Sequence, residues 1–252
     1  MSNNFKSKLK NKQTLIGTIV TLPSPSIAEI YSQLDFDWLW IDMEHSSLSI
    51  ETTQNIIQAT DRKCACLVRS PDNDRIWIKR ILDTGCDGII IPQINTATAA
   101  KNAIAACKYP PEGIRSVGIS RGQNYGLNLQ ETLEKSNQNI TIVLQIEHIE
   151  AVNNIDAILD LPGCDAILIG PFDLSASMNT IGQVDRPEVV EAINKVKKAC
   201  LQKNIPCGIF AKDSQTAIKA KQKGFNLICV GVDIVLLWKT ARSTLEKINS
   251  DR

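Results

Sequence analysis

Eight short apolar runs recur along the chain, at residues 15–22 (LIGTIVTL), 37–44 (DWLWIDME), 64–69 (CACLVR), 88–93 (GIIIPQ), 141–147 (TIVLQIE), 166–171 (AILIGP), 207–211 (CGIFA) and 227–233 (LICVGVD). They are rich in β-branched residues and nearly continuous in hydrophobicity. Parallel strands covered on both faces read this way, whereas strands with one wet face alternate. Amphipathic segments lie between them. SPSIAEIYSQL opens with Ser and Pro, as a helix start should, and DNDRIWIKRILDTG ends on a C-capping Gly. SIETTQNIIQAT, TATAAKNAIAACK, EHIEAVNNIDAILD, RPEVVEAINKVKKACLQK, SQTAIKAKQKG and IVLLWKTARSTLEKI complete the set.

Eight strands alternating with eight helices predict a (β/α)8 barrel spanning residues 1–252 as one domain. An open doubly wound sheet has the same alternation, but no Gly-rich phosphate fingerprint follows the first strand. One stretch departs from the rhythm. Residues 109–140 separate the fourth helix from the fifth strand and contain YPPEGIRSVGISRGQNYG, and a segment this long in a compact domain is usually functional.

A net charge of +1 gives no electrostatic footprint for nucleic acid or an anionic membrane. No apolar run approaches the roughly 20 residues of a membrane span, and the first twelve residues lack the apolar core of a signal peptide. The eight cysteines form no CxxC pair or zinc-spaced cluster. They are expected to be reduced core residues of a cytoplasmic protein.

In such a barrel the chemistry belongs at the C-terminal ends of the strands. The polar residues placed there are Asp42, Glu44, His45, Arg69, Gln93, Gln145, Glu147, Asp173 and Asp233. Asp37, Asp165 and Asn226 fall instead at turns leading into strands. Gln145 and Glu147 are two apart and share a face. Glu147 and Asp173, from adjacent strand ends with no Cys or second His nearby, would make a hard oxygen site suited to Mg2+ or Mn2+. Helix-capping acids are the other reading of this pair. His45 is a candidate proton carrier with Asp42 as its orienting partner, or simply a structural histidine. His148 reads as a loop or helix-start residue. Arg69, ending an apolar strand, needs an anionic partner, which a substrate oxyanion or a salt bridge to Glu44 would supply. IGPFDLS offers helix-start N–H groups to a carboxylate, or simply to a cap. Lys212 is the single lysine at a strand end and the candidate for Schiff-base chemistry, but it lies in what reads as an exposed turn.

Taken together, WIDMEHS, LVRSP, IPQINTATAAKNAIAACKYPPEGIRSVG, NITIVLQIEHIEAVNNIDAI and IGPFDLSASM, in this order, resemble the HpcH/HpaI class II aldolases over residues 14–248, and within them the branch acting on 2-dehydro-3-deoxyglucarate. These enzymes cleave 2-keto-3-deoxy sugar acids and related 4-hydroxy-2-oxo acids to pyruvate and an aldehyde. By position, the resemblance implies His45 with Asp42 as the proton-moving pair and Arg69 as the pyruvate-binding arginine. It implies Gln145, Gly170, Phe172 and Asp173 at the substrate, and Glu147 and Asp173 on a divalent metal, Mg2+ or else Mn2+ or Co2+. Asp83 would reach a neighbouring subunit's site in a homohexamer that exchanges C-terminal helices. Phe172 stands where the family usually has a small residue, and MNTIGQ replaces its glycines after SASM. Arg121 and Tyr125 are expected near the aldehyde. A 2-oxo diacid decarboxylase using the same enolate, or a non-catalytic sugar-acid-binding oligomer, are the rival functions.

Overall fold

Each of the eight apolar runs becomes a strand in the computed structural model, which describes residues 5–250. The strands are β1 (Leu15–Val20), β2 (Trp38–Asp42), β3 (Ala65–Arg69), β4 (Gly88–Ile91), β5 (Thr141–Ile146), β6 (Ala166–Ile169), β7 (Cys207–Ala211) and β8 (Leu227–Val232). They pair in chain order, all parallel, and β8 closes on β1. The barrel is therefore closed, as the sequence predicts.

Helices α1 (Phe5–Lys10), α2 (Pro25–Ser32), α3 (Ile50–Ala59), α4 (Arg75–Asp83) and α5 (Ala97–Cys107) alternate with the first strands. Local capping sets their starts. Pro25 opens α2, and Ser49, Asp74 and Thr96 accept first-turn N–H groups of α3, α4 and α5. The long connection that follows is not wholly irregular. It carries a 3-10 segment (Arg121–Gly126) and then α6 (Leu129–Asn139). The helix predicted after β5 is two, α7 (Ile149–Asn153) and α8 (Ile155–Leu159), broken at Asn154, whose side-chain amide donates to the Asn95 carbonyl at 2.9 Å. His148 caps α7, its Nδ1 accepting the Glu150 N–H. α9 (Pro171–Ser177), α10 (Pro187–Gln202), α11 (Ser214–Gln222) and α12 (Asp233–Ser250) complete the chain.

Alternation along the strands makes two cores. One set of strand side chains packs under the helices. The other, including Leu15, Trp38, Trp40, Leu67, Ile90, Val143, Leu168 and Cys229, fills the barrel. Trp38 and Trp40 stack with ring centroids 6.3 Å apart, so the interior is packed solid below its mouth. Gly17 makes room for them: a Cβ there would lie 2.5 Å from the Trp38 carbonyl and 2.6 Å from its ring.

At the N-terminal face, Asp37, Asp87 and Asp165 each stand one residue before an even-numbered strand. Each accepts an N–H of the preceding strand: Ile16 at 3.0 Å, Cys66 at 2.9 Å and Ile142 at 2.9 Å. Asn226, one residue before β8, acts differently, donating its side-chain amide to the Lys12 carbonyl at 2.9 Å. At the opposite face, Asp233 accepts the N–H groups of Thr21 and Leu22, both at 2.8 Å, and the Thr21 hydroxyl at 2.6 Å. It therefore clasps the β8–β1 seam where the barrel closes.

Candidate active site at the barrel mouth

The strand-end residues converge above the stacked tryptophans. Asp42 and Arg69 are register partners on β2 and β3, so both side chains turn inward side by side. Arg69 donates from Nε to Asp42 Oδ1 at 2.9 Å and from Nη2 to Oδ2 at 2.6 Å, a bidentate pair. Its Nη1 lies 2.8 Å from Glu44 Oε2. The guanidinium sits 4.8 Å from the Trp40 ring centroid, a cation–π contact that supports it from below. Burial works against the Arg69 charge, but the hydrogen bonds and charge of Asp42, then Glu44 and Glu147, outweigh it and raise its pKa.

Gln145 and Glu147 share the inward face of β5 and its exit, as their spacing predicts. Glu147 Oε1 accepts the Gln93 N–H at 2.8 Å, and Oε2 accepts from the Gln145 side-chain amide. Gln93 reaches this position with a left-handed backbone, φ +58°. Burial pushes the Glu147 carboxyl above its ordinary value, against the pull of the Gln93 N–H, and the Asp173 charge pushes further. Burial likewise raises Glu44, to about 7. Arg69 opposes this, and Glu147, Asp42 and Asp173 add to it.

Two expectations are corrected here. Asp42 does not hold the imidazole of His45. Both its oxygens are committed to Arg69, and it meets His45 only at the backbone N–H, 3.3 Å from Oδ1. The His45 ring is largely exposed, with Nε2 3.9 Å from Glu44 Oε2. The second correction concerns Gly170. Its N–H is spent on the Ile146 carbonyl at 3.1 Å, so it has none to offer a substrate carboxylate. Its contribution is space: a Cβ there would stand 3.2 Å from Glu147 Cβ and 3.3 Å from Gln145 Nε2 and Glu147 Oε2. Pro171 has no N–H. The donors left in that turn without an intrahelical acceptor are those of Phe172 and Asp173. The Phe172 ring, 45% exposed, packs edge-on against Phe210 of β7 with centroids 6.5 Å apart.

Asp83, Arg121 and Tyr125 lie elsewhere. Asp83 ends α4 and is bound to Arg115 Nη2 at 2.8 Å and Gln123 Nε2 at 2.9 Å. Arg121 is spent on the Thr84 and Gly85 carbonyls. α4 runs from the mouth back to the N-terminal face, so this whole group sits at the far end of the barrel. Arg121 and Tyr125, expected near the aldehyde, lie away from their own chain's mouth. Lys212 is exposed, as its sequence context predicts.

Among the described residues acids outnumber bases at the mouth, where Asp42, Glu44, Glu147 and Asp173 face the guanidinium of Arg69. Among the described residues no cluster of three or more His, Cys, Asp or Glu could enclose a metal ion. The residues present nevertheless fit a hard divalent cation. Glu147 and Asp173 supply carboxylate oxygens, and the buried Gln145 Oε1 has no hydrogen-bond partner. The absent Cβ of Gly170 keeps the cradle open. Two protein oxygens leave room for water and a chelating substrate, as Mg2+ sites commonly do.

The residues that sequence reasoning undervalued are Glu44, weighed only as a salt-bridge partner, the Gln93 backbone and Trp40. A carboxylate two residues past Asp42 was the available signal for the first. The other two depend on strand register.

The HpcH/HpaI aldolase/citrate lyase family profile matches residues 16–240. The 5-keto-4-deoxy-D-glucarate aldolase of Escherichia coli O6:H1 is 35% identical over 247 residues, covering 98% of this chain and 95% of that protein. An HpcH/HpaI aldolase/citrate lyase family protein from Burkholderia cenocepacia J2315 superposes with a TM-score of 0.94 at 29% identity, covering 98% and 99% of the two chains. The HpcH/HpaI aldolase of Desulfitobacterium hafniense DCB-2 gives 0.90 at 32% identity, covering 96% and 95%. Among the described residues no helix is long and apolar enough to cross a membrane. The chain belongs to the HpcH/HpaI aldolase family.

Proposed function

We propose that this aldolase cleaves a keto-deoxy sugar acid, of the kind named for its E. coli relatives, to pyruvate and an aldehyde, with a divalent metal held by Glu147 and Asp173. The observation that carries the reading is the buried Glu147, with the Asp173 charge near enough to act on it, beside a guanidinium that is already clamped. Mg2+ is the first choice of metal, with Mn2+ or Co2+ as substitutes. When bound, the cation supplies positive charge for the enolate oxygen that develops as the carbon–carbon bond breaks. Arg69, fixed by Asp42 and Glu44, presents a rigid cation to the same oxygen or to the substrate carboxylate. Gln145 orients Glu147 and keeps one free acceptor at the site. The exposed ring of His45 takes the proton of the substrate hydroxyl. The N–H groups of Phe172 and Asp173 face the same mouth.

The same reading makes the protein a homo-oligomer, taken as a hexamer. α12 exposes Ile234, Leu237, Trp238, Leu245 and Ile248, an apolar set that a second copy would cover. Asp83, at the opposite face from its own mouth, can serve only a neighbour's site. Eight free cysteines, seven of them buried, support a cytoplasmic reading.

The test is pyruvate release from 2-keto-3-deoxyglucarate with Mg2+ or Mn2+, with and without EDTA. Release abolished by chelation supports the proposal. Release that survives EDTA and is trapped by borohydride moves the chemistry to a lysine, Lys212 first. No release from any keto-deoxy acid, with decarboxylation of a 2-oxo diacid instead, overturns it.

A further inference from the structure

We infer that Glu44, not Asp42, is the carboxylate that positions His45 and couples it to Arg69; this rests on the aldolase reading of the site. Asp42 has no capacity left for the imidazole. Its two oxygens receive Nε and Nη2 of Arg69, and Oδ1 also takes the backbone N–H of Glu44 at 3.0 Å and of His45 at 3.3 Å. Glu44 is in the reverse situation. Its Oε2 is buried and makes no hydrogen bond, although Arg69 Nη1 stands 2.8 Å away and His45 Nε2 3.9 Å away. The Glu44 side chain is 13% exposed while that of His45 is 65% exposed. The acid is therefore held, and the ring is free to close the last ångström onto it by rotation. Catalytic hydrogen bonds are commonly long before substrate arrives.

Charge pairing alone does not require a second acid here: Asp42 already takes Nε and Nη2 of Arg69, and a neutral acceptor would serve Nη1. A second carboxylate must be held against burial and against the charges of Asp42, Glu147 and Asp173 that face it, with Arg69 the one cation nearby among the described residues and His45 beside it. Glutamine would fill the same volume without that cost. The charge has a use once the ring becomes cationic. In the cleavage step the substrate hydroxyl proton passes to the imidazole and the oxygen becomes a carbonyl. The carbon–carbon bonding pair moves into the pyruvate enolate, which later takes a proton at carbon. With Nε2–H directed at Glu44, the basic nitrogen is Nδ1. The Glu44 carboxylate then offsets the imidazolium, and its grip on Arg69 keeps the ring and guanidinium in one frame.

The test compares Glu44→Gln, Glu44→Asp and Asp42→Asn in the full-length metal-loaded protein. Glu44→Gln is expected to lower kcat about tenfold or more, with KM changed less than about threefold, and to move the acid limb of the kcat profile to lower pH. Glu44→Asp is expected to recover part of the loss. Asp42→Asn, which loosens Arg69, is expected to raise KM. A Glu44→Gln protein with wild-type kcat and pH profile overturns the inference, as does an acid-limb shift confined to Asp42→Asn. A second measurement is independent of turnover. The chain has only two histidines, so the ring nitrogen resonances of His45 can be assigned with a His148→Gln variant. They should shift in Glu44→Gln and stay put in Asp42→Asn, and the opposite pattern refutes the assignment. A wild-type protein that releases no pyruvate refutes the aldolase reading, while the resonances still decide the role of Glu44.

Discussion

Divalent cations should stabilise this protein against unfolding, and more strongly at pH 7.5 than at pH 5.5. The burial of Glu44 and Glu147 among like charges sets the sign. A carboxyl whose folded-state pKa is raised above its unfolded value destabilises the fold as pH climbs between the two. For Glu44, raised from 4.5 to about 7 by burial first and acidic neighbours after, the ceiling on this penalty is about 3 kcal/mol, reached above pH 7. Glu147 adds in the same direction. A cation on Glu147 and Asp173 removes the repulsion they exert on Glu44 and binds only their ionised forms, so its effect grows with pH. At a concentration about 100 times its Kd the gain is about 2.7 kcal/mol. For a chain of this length that is about 5–10 °C in Tm. Thermal unfolding with Mg2+, Mn2+ or Co2+ against EDTA, at both pH values, measures it. Glu147→Gln and Asp173→Asn should lose the shift. A shift of the same size in both variants, or none with any cation at millimolar concentration, would refute the reasoning.

Three further outcomes follow from the same geometry. Arg69→Lys cannot reproduce the bidentate pair with Asp42 together with the Glu44 contact; it should cost about 2–3 kcal/mol in urea unfolding and lower kcat/KM about a hundredfold or more. Asp233→Ala leaves two N–H groups and a hydroxyl of the β8–β1 seam without their acceptor; about 3 kcal/mol should be lost in chemical denaturation, with Asp233→Asn intermediate. The cysteines are buried or half-buried, and burial pushes the thiols of Cys64 and Cys86 up to about 12; a disulfide reagent should label the native protein slowly and all eight thiols only in denaturant.

Much of this architecture could be read from the chain alone. Continuous apolar runs such as GIIIPQ and AILIGP have a single stable home, a parallel strand covered on both faces, and their alternation with helices leads to the barrel. Their polar ends pointed to the barrel mouth, because a Gln, Glu or Arg at the end of an otherwise apolar strand is too costly to bury without a function or a partner. The sequence also placed His148 at a helix start and Lys212 in an exposed turn.

Which partner each of those residues takes was decided only by tertiary structure. Asp42 and Arg69 are 27 positions apart, and their pairing depends on the register of β2 against β3, which no local pattern encodes. Once that register is set, Asp42 is spent on Arg69, and the His45 ring lies 3.9 Å from Glu44 instead. Gly170 likewise loses its N–H to β5 and becomes a vacancy for Glu147 instead of a donor. Local periodicity determines which face of an element is apolar. Only the assembled barrel determines which hydrogen bonds are already made, and those that remain unmade are what the site has left for chemistry.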